Sequence, residues 1–357
     1  MSKATSGNIV VVDAAVVETG TVHNFLTQLT GPTAFLFKGK NSGSRCRVIT
    51  TLLHANEPSG FHVLHQLINE KFVPLFDTYI IVASVSAAQL EPPLTHRQLP
   101  GERDLNRCFQ PPYEDFNGKL AKSIMDFIIA LHPEFLIDVH NTSGSGPIFC
   151  VATRYQHQQL ALASFFSRWL IHTDIELGAL MEVPFAFPVI TVEAGGVHDP
   201  QSDFNAYNGL CQLLKSESPF SLQQPIDILH RPIRCRVNND ISIAYSDRPV
   251  FGVNVTFNQE LEKYNFGISD ESVCLGWTDH GGLENFELEG TDIHVSRFFK
   301  VENGELRPLS AMKLFMATTC SDIAKSDCVF YFVDAESLNP YTQEFEQEQD
   351  SNALFEC

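Results

Sequence analysis

The sequence predicts an α/β protein, with a β-sheet covered by helices on both faces over the first two thirds of the chain and a smaller, mostly-β unit after it. Three observations carry this reading. Short apolar, β-branched runs alternate with longer amphipathic ones up to about residue 215; a Ser/Pro/Gln-rich stretch starting at Ser216 interrupts the pattern; and short alternating runs separated by Asn, Asp and Gly follow it.

The runs at Ile9–Val12, Ala34–Phe37, Val48–Leu53, Tyr79–Ala83, Phe135–Val139, Ile148–Val151 and Val189–Val192 read as buried strands, because none offers a polar face to water. Between them, Phe61, Leu64 and Ile68 form an apolar stripe behind Pro58, which suits a first helical turn. Leu120, Ile124, Phe127, Ile128 and Leu131 recur at helical spacing from about Gly118, with Lys119, Lys122 and Asp126 opposite. Leu162, Phe166, Trp169 and Leu170 suggest a further helix. Phe204, Tyr207, Cys211 and Leu214 suggest another, with Asp203 as its N-cap. Beyond the linker-like stretch, Ile241–Tyr245, Val250–Phe257, Asp292–Val295 and Val329–Val333 read as strands, and helical periodicity shows only near Leu309–Met316. The expected organisation is one unit over 1–215, a β-rich unit over 226–340 and a tail over 341–357 that carries five acids and no base.

Composition narrows the function. With 24 basic against 43 acidic side chains the net charge is −19, which argues against a nucleic-acid binder. Charged residues make up 19% of the chain and hydrophobic ones 44%, a globular composition. The nine cysteines are scattered, odd in number and free of any CxxC pair, so they suit neither a disulfide framework nor a zinc ribbon. No stretch approaches the ~18 apolar residues of a membrane span. The expectation is a cytoplasmic protein without a membrane partner.

The chemistry concentrates at strand ends. In Val48-Ile-Thr-Thr-Leu-Leu-His54-Ala-Asn-Glu57-Pro-Ser-Gly60, an apolar strand ends at a histidine and a glutamate follows three residues later. An imidazole and a carboxylate at that spacing can share one zinc ion, although HxxE also occurs by chance. Phe135-Leu-Ile-Asp-Val-His140 places a second histidine just past a buried run. Because ligands bind at the carboxyl ends of strands in open α/β sheets, His54, Glu57 and His140 can form a two-histidine, one-glutamate site with a fourth position open to water. Val189-Ile-Thr-Val-Glu193-Ala-Gly-Gly puts a carboxylate after a fourth apolar run, where a desolvated general base is expected and a turn-capping glutamate is the bland alternative. The segment Arg97-Gln-Leu-Pro-Gly-Glu-Arg103-Asp104-Leu-Asn106-Arg107 is rich in groups that clamp a carboxylate, and it locally reverses the negative field of the chain.

Taken in order, His54-Ala-Asn-Glu57-Pro-Ser-Gly, Asp104-Leu-Asn106-Arg107-Cys-Phe, Asp138-Val-His140-Asn-Thr and Val192-Glu193-Ala-Gly resemble the motifs of the succinylglutamate desuccinylase/aspartoacylase family of zinc carboxypeptidase-like enzymes, over roughly residues 46–215. The resemblance implies a carboxypeptidase-like mixed β-sheet flanked by helices, with one Zn2+ per chain held by His54, Glu57 and His140. It implies Glu193 as the general base, Asn106 and Arg107 as a substrate-carboxylate clamp, and Asp104 as an acid steadying His54. Family members place a carbonyl-polarising, substrate-binding arginine a few residues before Asp-Leu-Asn-Arg. Here Arg97 lies seven residues before Asp104 and is preferred to Arg103, whose neighbour Asp104 would direct it elsewhere. Some relatives add a tyrosine from the C-terminal part; Tyr245, Tyr264 and Tyr331 are the candidates.

The function so implied is hydrolysis of the amide of an N-acyl amino acid or related small carboxylate by metal-activated water. A carboxypeptidase-like action on peptide C-termini is the alternative, and a non-catalytic binding module is a lesser one. Other histidines read as structural: His62 and His65 share the helix after Glu57, with His65 on its apolar side, while His96 and His198 lie in the site loops within possible reach of substrate. Cys108 and Cys150 read as small buried hydrophobes.

Overall fold

Runs of residues buried on both faces mark the central strands, as at 47–51 and 136–142. The computed structural model describes residues 9–142, 144–326, 328–334 and 339–341. Its strands begin with β1 (Val10–Asp13), β2 (Thr33–Phe37), β3 (Cys46–Thr51), β4 (Asp77–Val82), β5 (Leu136–Thr142), β6 (Phe149–Ala152), β7 (Trp169–His172), β8 (Val189–Gly196) and β9 (Ile226–His230). There follow β10 (Ile233–Val237), β11 (Ile243–Ser246), β12 (Val255–Asn258), β13 (Ile268–Ser269), β14 (Gly276–Thr278), β15 (Phe286–Glu289), β16 (Phe299–Glu302), β17 (Glu305–Pro308), β18 (Met312–Phe315), β19 (Phe330–Asp334) and β20 (Asn339–Tyr341). The helices are α1 (Val22–Gln28), α2 (Ser59–Asn69), α3 (Val85–Ala88), α4 (Phe116–Leu131), α5 (His157–Ala163), α6 (Gln201–Lys215) and α7 (Ser321–Ser326). Among the described residues no helix is long and apolar enough to cross a membrane.

The described strands form a ten-stranded mixed sheet, ordered β1-β2-β4-β3-β5-β8-β6-β7-β9-β20, and two five-stranded sheets, β13-β18-β19-β10-β15 and β11-β12-β14-β17-β16. The central strands β4, β3, β5 and β8 are parallel, and β2 and β6 run antiparallel to them. Successive residues of the central strands go to opposite faces. Ile49, Ile80 and Ile137 pack with Phe61, Leu64 and Leu67 of α2 and Leu210, Leu213 and Leu214 of α6; their neighbours Val48, Ile81 and Leu136 pack with Leu120, Ile124 and Ile128 of α4. Both faces are thus covered, as the apolar runs require.

Two close contacts fix this arrangement. Arg47, fully buried in β3, meets Glu134 Oε2 at 2.8 Å and donates to the carbonyls of Leu213, Leu214 and Ser216 at 2.9, 3.2 and 2.8 Å. A guanidinium so placed satisfies the last carbonyls of α6 and opposes the negative end of its dipole. At the other end of β3, a Cβ on Gly60 would fall on Thr51 Oγ1 and lie 2.8 Å from Thr51 Cβ and 3.0 Å from Val139 Cβ. The first turn of α2 therefore lies directly on β3 and β5.

Some expected elements fall differently. α5 ends at Ala163, and Trp169 and Leu170 belong to β7, not to a helix with Leu162 and Phe166. Ser167 Oγ accepts from Trp169 N at 2.9 Å and donates to Ile148 O at 2.7 Å, a local alternative to helical bonding. The N-cap of α6 is Pro200, not Asp203, whose carboxylate instead accepts from Ser59 Oγ at 2.6 Å and meets His62 Nδ1 at 2.7 Å. Phe204 is 58% exposed, so the buried stripe of α6 runs through Ala206, Leu210, Leu213 and Leu214. Leu309–Met316 contains β18 rather than a helix, because pairing with β13 and β19 satisfies its backbone. β9, beyond the expected break near Ser216, pairs with β7 of the large sheet. Of the acidic tail, residues 342–357 lie outside the described residues.

Gly60→Ala is expected to destabilise the fold by about 1–3 kcal/mol, since neither a β-branched side chain on a buried strand nor the helix start can yield cheaply. Urea unfolding of the two proteins measures it, and equal midpoints would contradict this packing.

Candidate active site

The order of the large sheet opens a crevice at its centre. β3 lies between β4 and β5, and the chain leaves β3 for β4 on one side and leaves β5 for β6 on the other, so the connections from the carboxyl ends of β3 and β5 diverge. His54 follows β3 in a turn that is fixed at each step. Leu52 adopts the left-handed region with φ 55°, its carbonyl accepts from Ser84 N at 2.9 Å, the Leu53 carbonyl accepts from Ser84 Oγ at 2.9 Å, and Ala55 N donates to Arg97 O at 2.9 Å. Glu57 immediately precedes Pro58, the N-cap of α2. β5 and β8 extend past their apolar runs, so His140 and Glu193 lie within strands rather than after them. They are register partners, and the register shifts between His140 and Thr142.

Glu57 is the hub. Its Oε1 lies 2.9 Å from His54 Nδ1 and its Oε2 lies 2.6 Å from His140 Nδ1. All three side chains are buried, with one donor atom from each within 4.8 Å of the others. Behind the imidazoles stand two aspartates: Asp104 Oδ1 is 3.1 Å from His54 Nε2 and Asp138 Oδ2 is 2.7 Å from His140 Nε2. Asp138 is itself held by Thr50 Oγ1 at 2.6 Å. Burial opposes charge on Glu57, yet His54 and His140 hold its carboxyl well below the usual range. Burial likewise opposes charge on His140, and Asp138 and Glu57 outweigh it, raising that imidazole well above its ordinary value.

This donor set fits a cation. A neutral imidazole has one N–H, but both nitrogens of His140 face carboxylates. The contacts are satisfied by an imidazolium, or by an Nε2–H on Asp138 with a cation among Nδ1, Glu57 and His54. The oxygen and nitrogen donors suit zinc or a similar divalent ion.

The loop carrying the arginines is tied to the same hub through Asp104. Oδ2 of Asp104 accepts from Arg97 Nε at 2.9 Å, and Oδ1 also accepts from Asn106 N at 2.8 Å, capping the 3-10 turn Leu105–Arg107. Arg97 Nη1 lies 3.4 Å from Glu57 Oε1 and its Nη2 lies 2.7 Å from His54 Nε2. Burial opposes charge on Asp104, but its hydrogen bond to His54 and the charges of His54, Arg97 and Arg107 hold its carboxyl far below the carboxylate range. Asn106 Oδ1 accepts from Leu180 N at 3.0 Å, and Arg107 Nη1 donates to Asn106 O at 2.8 Å.

His54, Glu57, Arg97, Asn106, Arg107, His140 and Glu193 line one cavity of ≈ 150 Å³. Glu193 is half-buried there, its Oε2 out of reach of solvent and without a hydrogen-bond partner, and burial pushes its carboxyl up to about 7. Arg103 turns away to Asp115, with Nε 2.5 Å from its Oδ2. Tyr331 lines the cavity, whereas Tyr245, Tyr264, His96 and His198 do not. His62 is bonded to Asp203, and His65 Nε2 donates to Gly20 O at 2.9 Å. Cys108 and Cys150 are buried thiols, Cys108 pushed up to about 11 and Cys150 higher still by burial.

Two residues of the site carried no role in the sequence reading. Asp138 lies two residues before His140 on one strand, which puts both on the same face; that spacing was the available signal. Asn141 latches α2 to two strands: its Oδ1 accepts from Ser59 N at 3.0 Å, and its Nδ2 donates to Ser59 Oγ at 2.8 Å and Gly195 O at 3.1 Å. Nothing local in the sequence signals it.

Neither a family model nor a curated protein matches this sequence. Solved structures do resemble it. Succinylglutamate desuccinylase/aspartoacylase from Rhodobacter sphaeroides superposes with a TM-score of 0.55 at 15% identity, over 86% of this chain and 88% of that one. Murine aminoacylase 3 gives 0.52 at 15% identity, over 83% and 96%. The ectoine utilization protein EutE from Ruegeria pomeroyi gives 0.50 at 14% identity, over 78% and 81%. Many of the structural neighbours are succinylglutamate desuccinylase/aspartoacylase family proteins, and the chain shares their carboxypeptidase-like α/β fold.

Proposed function

We propose that this chain is a zinc-dependent hydrolase that cleaves the amide bond of an N-acyl amino acid or related small carboxylate. The observation that carries this is the convergence of His54, His140 and Glu57 beside Glu193, whose Oε2 is out of reach of solvent and without a hydrogen-bond partner. The fold shared with desuccinylase and aminoacylase structures supports it. When bound by His54, Glu57 and His140, the ion supplies Lewis-acid polarisation and acidifies water.

The chain's own groups do the rest. Glu193, with a carboxyl near 7, takes a proton from the attacking water and returns it to the leaving amine as the C–N bond breaks and the acid forms. Arg97 projects its guanidinium at the cavity beside His54, where it opposes negative charge growing on the carbonyl oxygen. Asn106 keeps its amide oxygen on Leu180 N and offers its NH2 group, with the Arg107 fork, to the substrate carboxylate. Asp104 joins clamp and metal ligand, so binding the carboxylate aligns the amide with the hub. The limited volume, lined in part by Pro232, Phe315, Met316 and Tyr331 from the C-terminal part, favours a small substrate over a peptide chain.

Three measurements test these roles. Glu193→Gln is expected to bind zinc with unchanged stoichiometry and to lose about 10²–10⁴-fold in kcat; undiminished turnover would remove it as the base. Asp138→Asn should weaken zinc affinity about 10–100-fold in competition with a chromophoric chelator, and equal affinity would detach Asp138 from the ligand set. Arg107→Ala should mainly raise KM for a carboxylate substrate, by at least about tenfold, whereas an unaltered KM would contradict the clamp.

A further inference from the structure

We propose that the substrate carries one carboxylate and is otherwise apolar, an N-acylated aliphatic, thioether or aromatic amino acid rather than a dicarboxylic one. This rests on the hydrolase reading above and narrows it. Besides the polar hub, the cavity is lined by Val151 of β6 and its register partner Ile171 of β7, by Ile175 and Leu177 of the following loop, and by Met181, which together make up its apolar wall. Met316 lines it as well, from a left-handed backbone with φ 51° that a methionine rarely adopts. That backbone is pinned by Asn265, whose Oδ1 accepts from Ala317 N at 2.8 Å and whose Nδ2 donates to Ala317 O at 3.2 Å. The fold thus holds a disfavoured backbone at a methionine that lines the cavity.

The charges point the same way. Among the described residues lining the cavity, the guanidinium groups are those of Arg97 and Arg107. Arg97 is held beside His54 by Asp104, with contacts of 2.9 and 2.8 Å to Oδ2, and by Glu57 at 3.4 Å, at the place assigned above to the reacting carbonyl. Arg107 suits one substrate carboxylate. A second carboxylate would meet alkyl and thioether carbon on the wall, and the Thr173, Thr191 and Tyr331 side chains there bring hydroxyls but no charge. It would lose its hydration without gaining an ionic partner, beside the carboxylates of Glu57 and Glu193. The net charge of −19 adds long-range repulsion.

The test is kcat/KM of the full-length, zinc-loaded protein, read as released amine, on N-acetyl-L-phenylalanine, N-acetyl-L-methionine, N-acetyl-L-aspartate and N-succinyl-L-glutamate. At least about a tenfold advantage for the better apolar substrate over both dicarboxylic ones is expected, and Met181→Arg should reduce that ratio at least about tenfold. Faster hydrolysis of a dicarboxylic substrate by the unaltered protein would overturn the proposal and leave the hydrolase reading standing. No amine from any of the four, with zinc stoichiometrically bound, would overturn both. An unchanged ratio in a Met181→Arg variant with native circular dichroism would overturn the assignment of this wall to specificity.

Discussion

The site is governed by an excess of buried negative charge. Glu57, Asp104, Asp138 and Glu193 bring four carboxylates to one crevice, and Arg97 and Arg107 are the guanidinium groups that reach it. With both imidazoles neutral and all four carboxylates ionised, two negative charges remain, which a single divalent cation balances. Ion-sized desolvation penalties make an uncompensated cluster of this kind costly, so the arrangement is a demand for a cation as much as a means of holding one. The aspartates behind the imidazoles serve that demand. By accepting an N–H from His140 Nε2, Asp138 favours a lone pair on Nδ1, the atom turned towards Glu57, while Asp104 shares the Nε2 edge of His54 with Arg97, whose Nη2 lies 2.7 Å from that nitrogen.

The fold delivers these groups by placing rigid elements around the sheet's switch point. β3 supplies the His54 turn, and β5 and β8 carry His140 and Glu193 as register neighbours. Gly60 permits α2 to start against Thr51 and Val139, and Asn141 fastens that start to β5 and β8. The position of Glu57 is therefore set by sheet and helix packing and not by the loop alone. Asp104 extends the same rigidity to the arginine-bearing turn, so one carboxylate contacts His54, the Arg97 guanidinium and the backbone of Asn106.

Much of this was legible in the sequence, for identifiable reasons. Buried parallel strands announce themselves as apolar runs, and His54, His140 and Glu193 were visible because each ends or interrupts one. Their meeting in space was supplied by strand-end logic together with the family resemblance, and the cavity unites them with Asn106, Arg107 and Arg97. What escaped notice depended on distant partners. Asp203 reads as a helix cap, yet it bonds across to Ser59 and His62. Trp169 and Leu170 fit a helical stripe because a short apolar run is ambiguous between helix and strand, and the pairing of β7 with β6 and β9 decided it. The addition of β9 and β20 to the large sheet left no local signal, since edge pairing is chosen by the surrounding strands.

The central claim concerns the coordination of a metal, and X-ray absorption spectroscopy at the zinc edge on the stoichiometrically loaded protein examines it most directly. The account predicts a nitrogen and oxygen shell at about 2.0–2.2 Å that includes two imidazoles and no sulfur. A sulfur shell near about 2.3 Å, or failure of the folded protein to retain zinc, would contradict it.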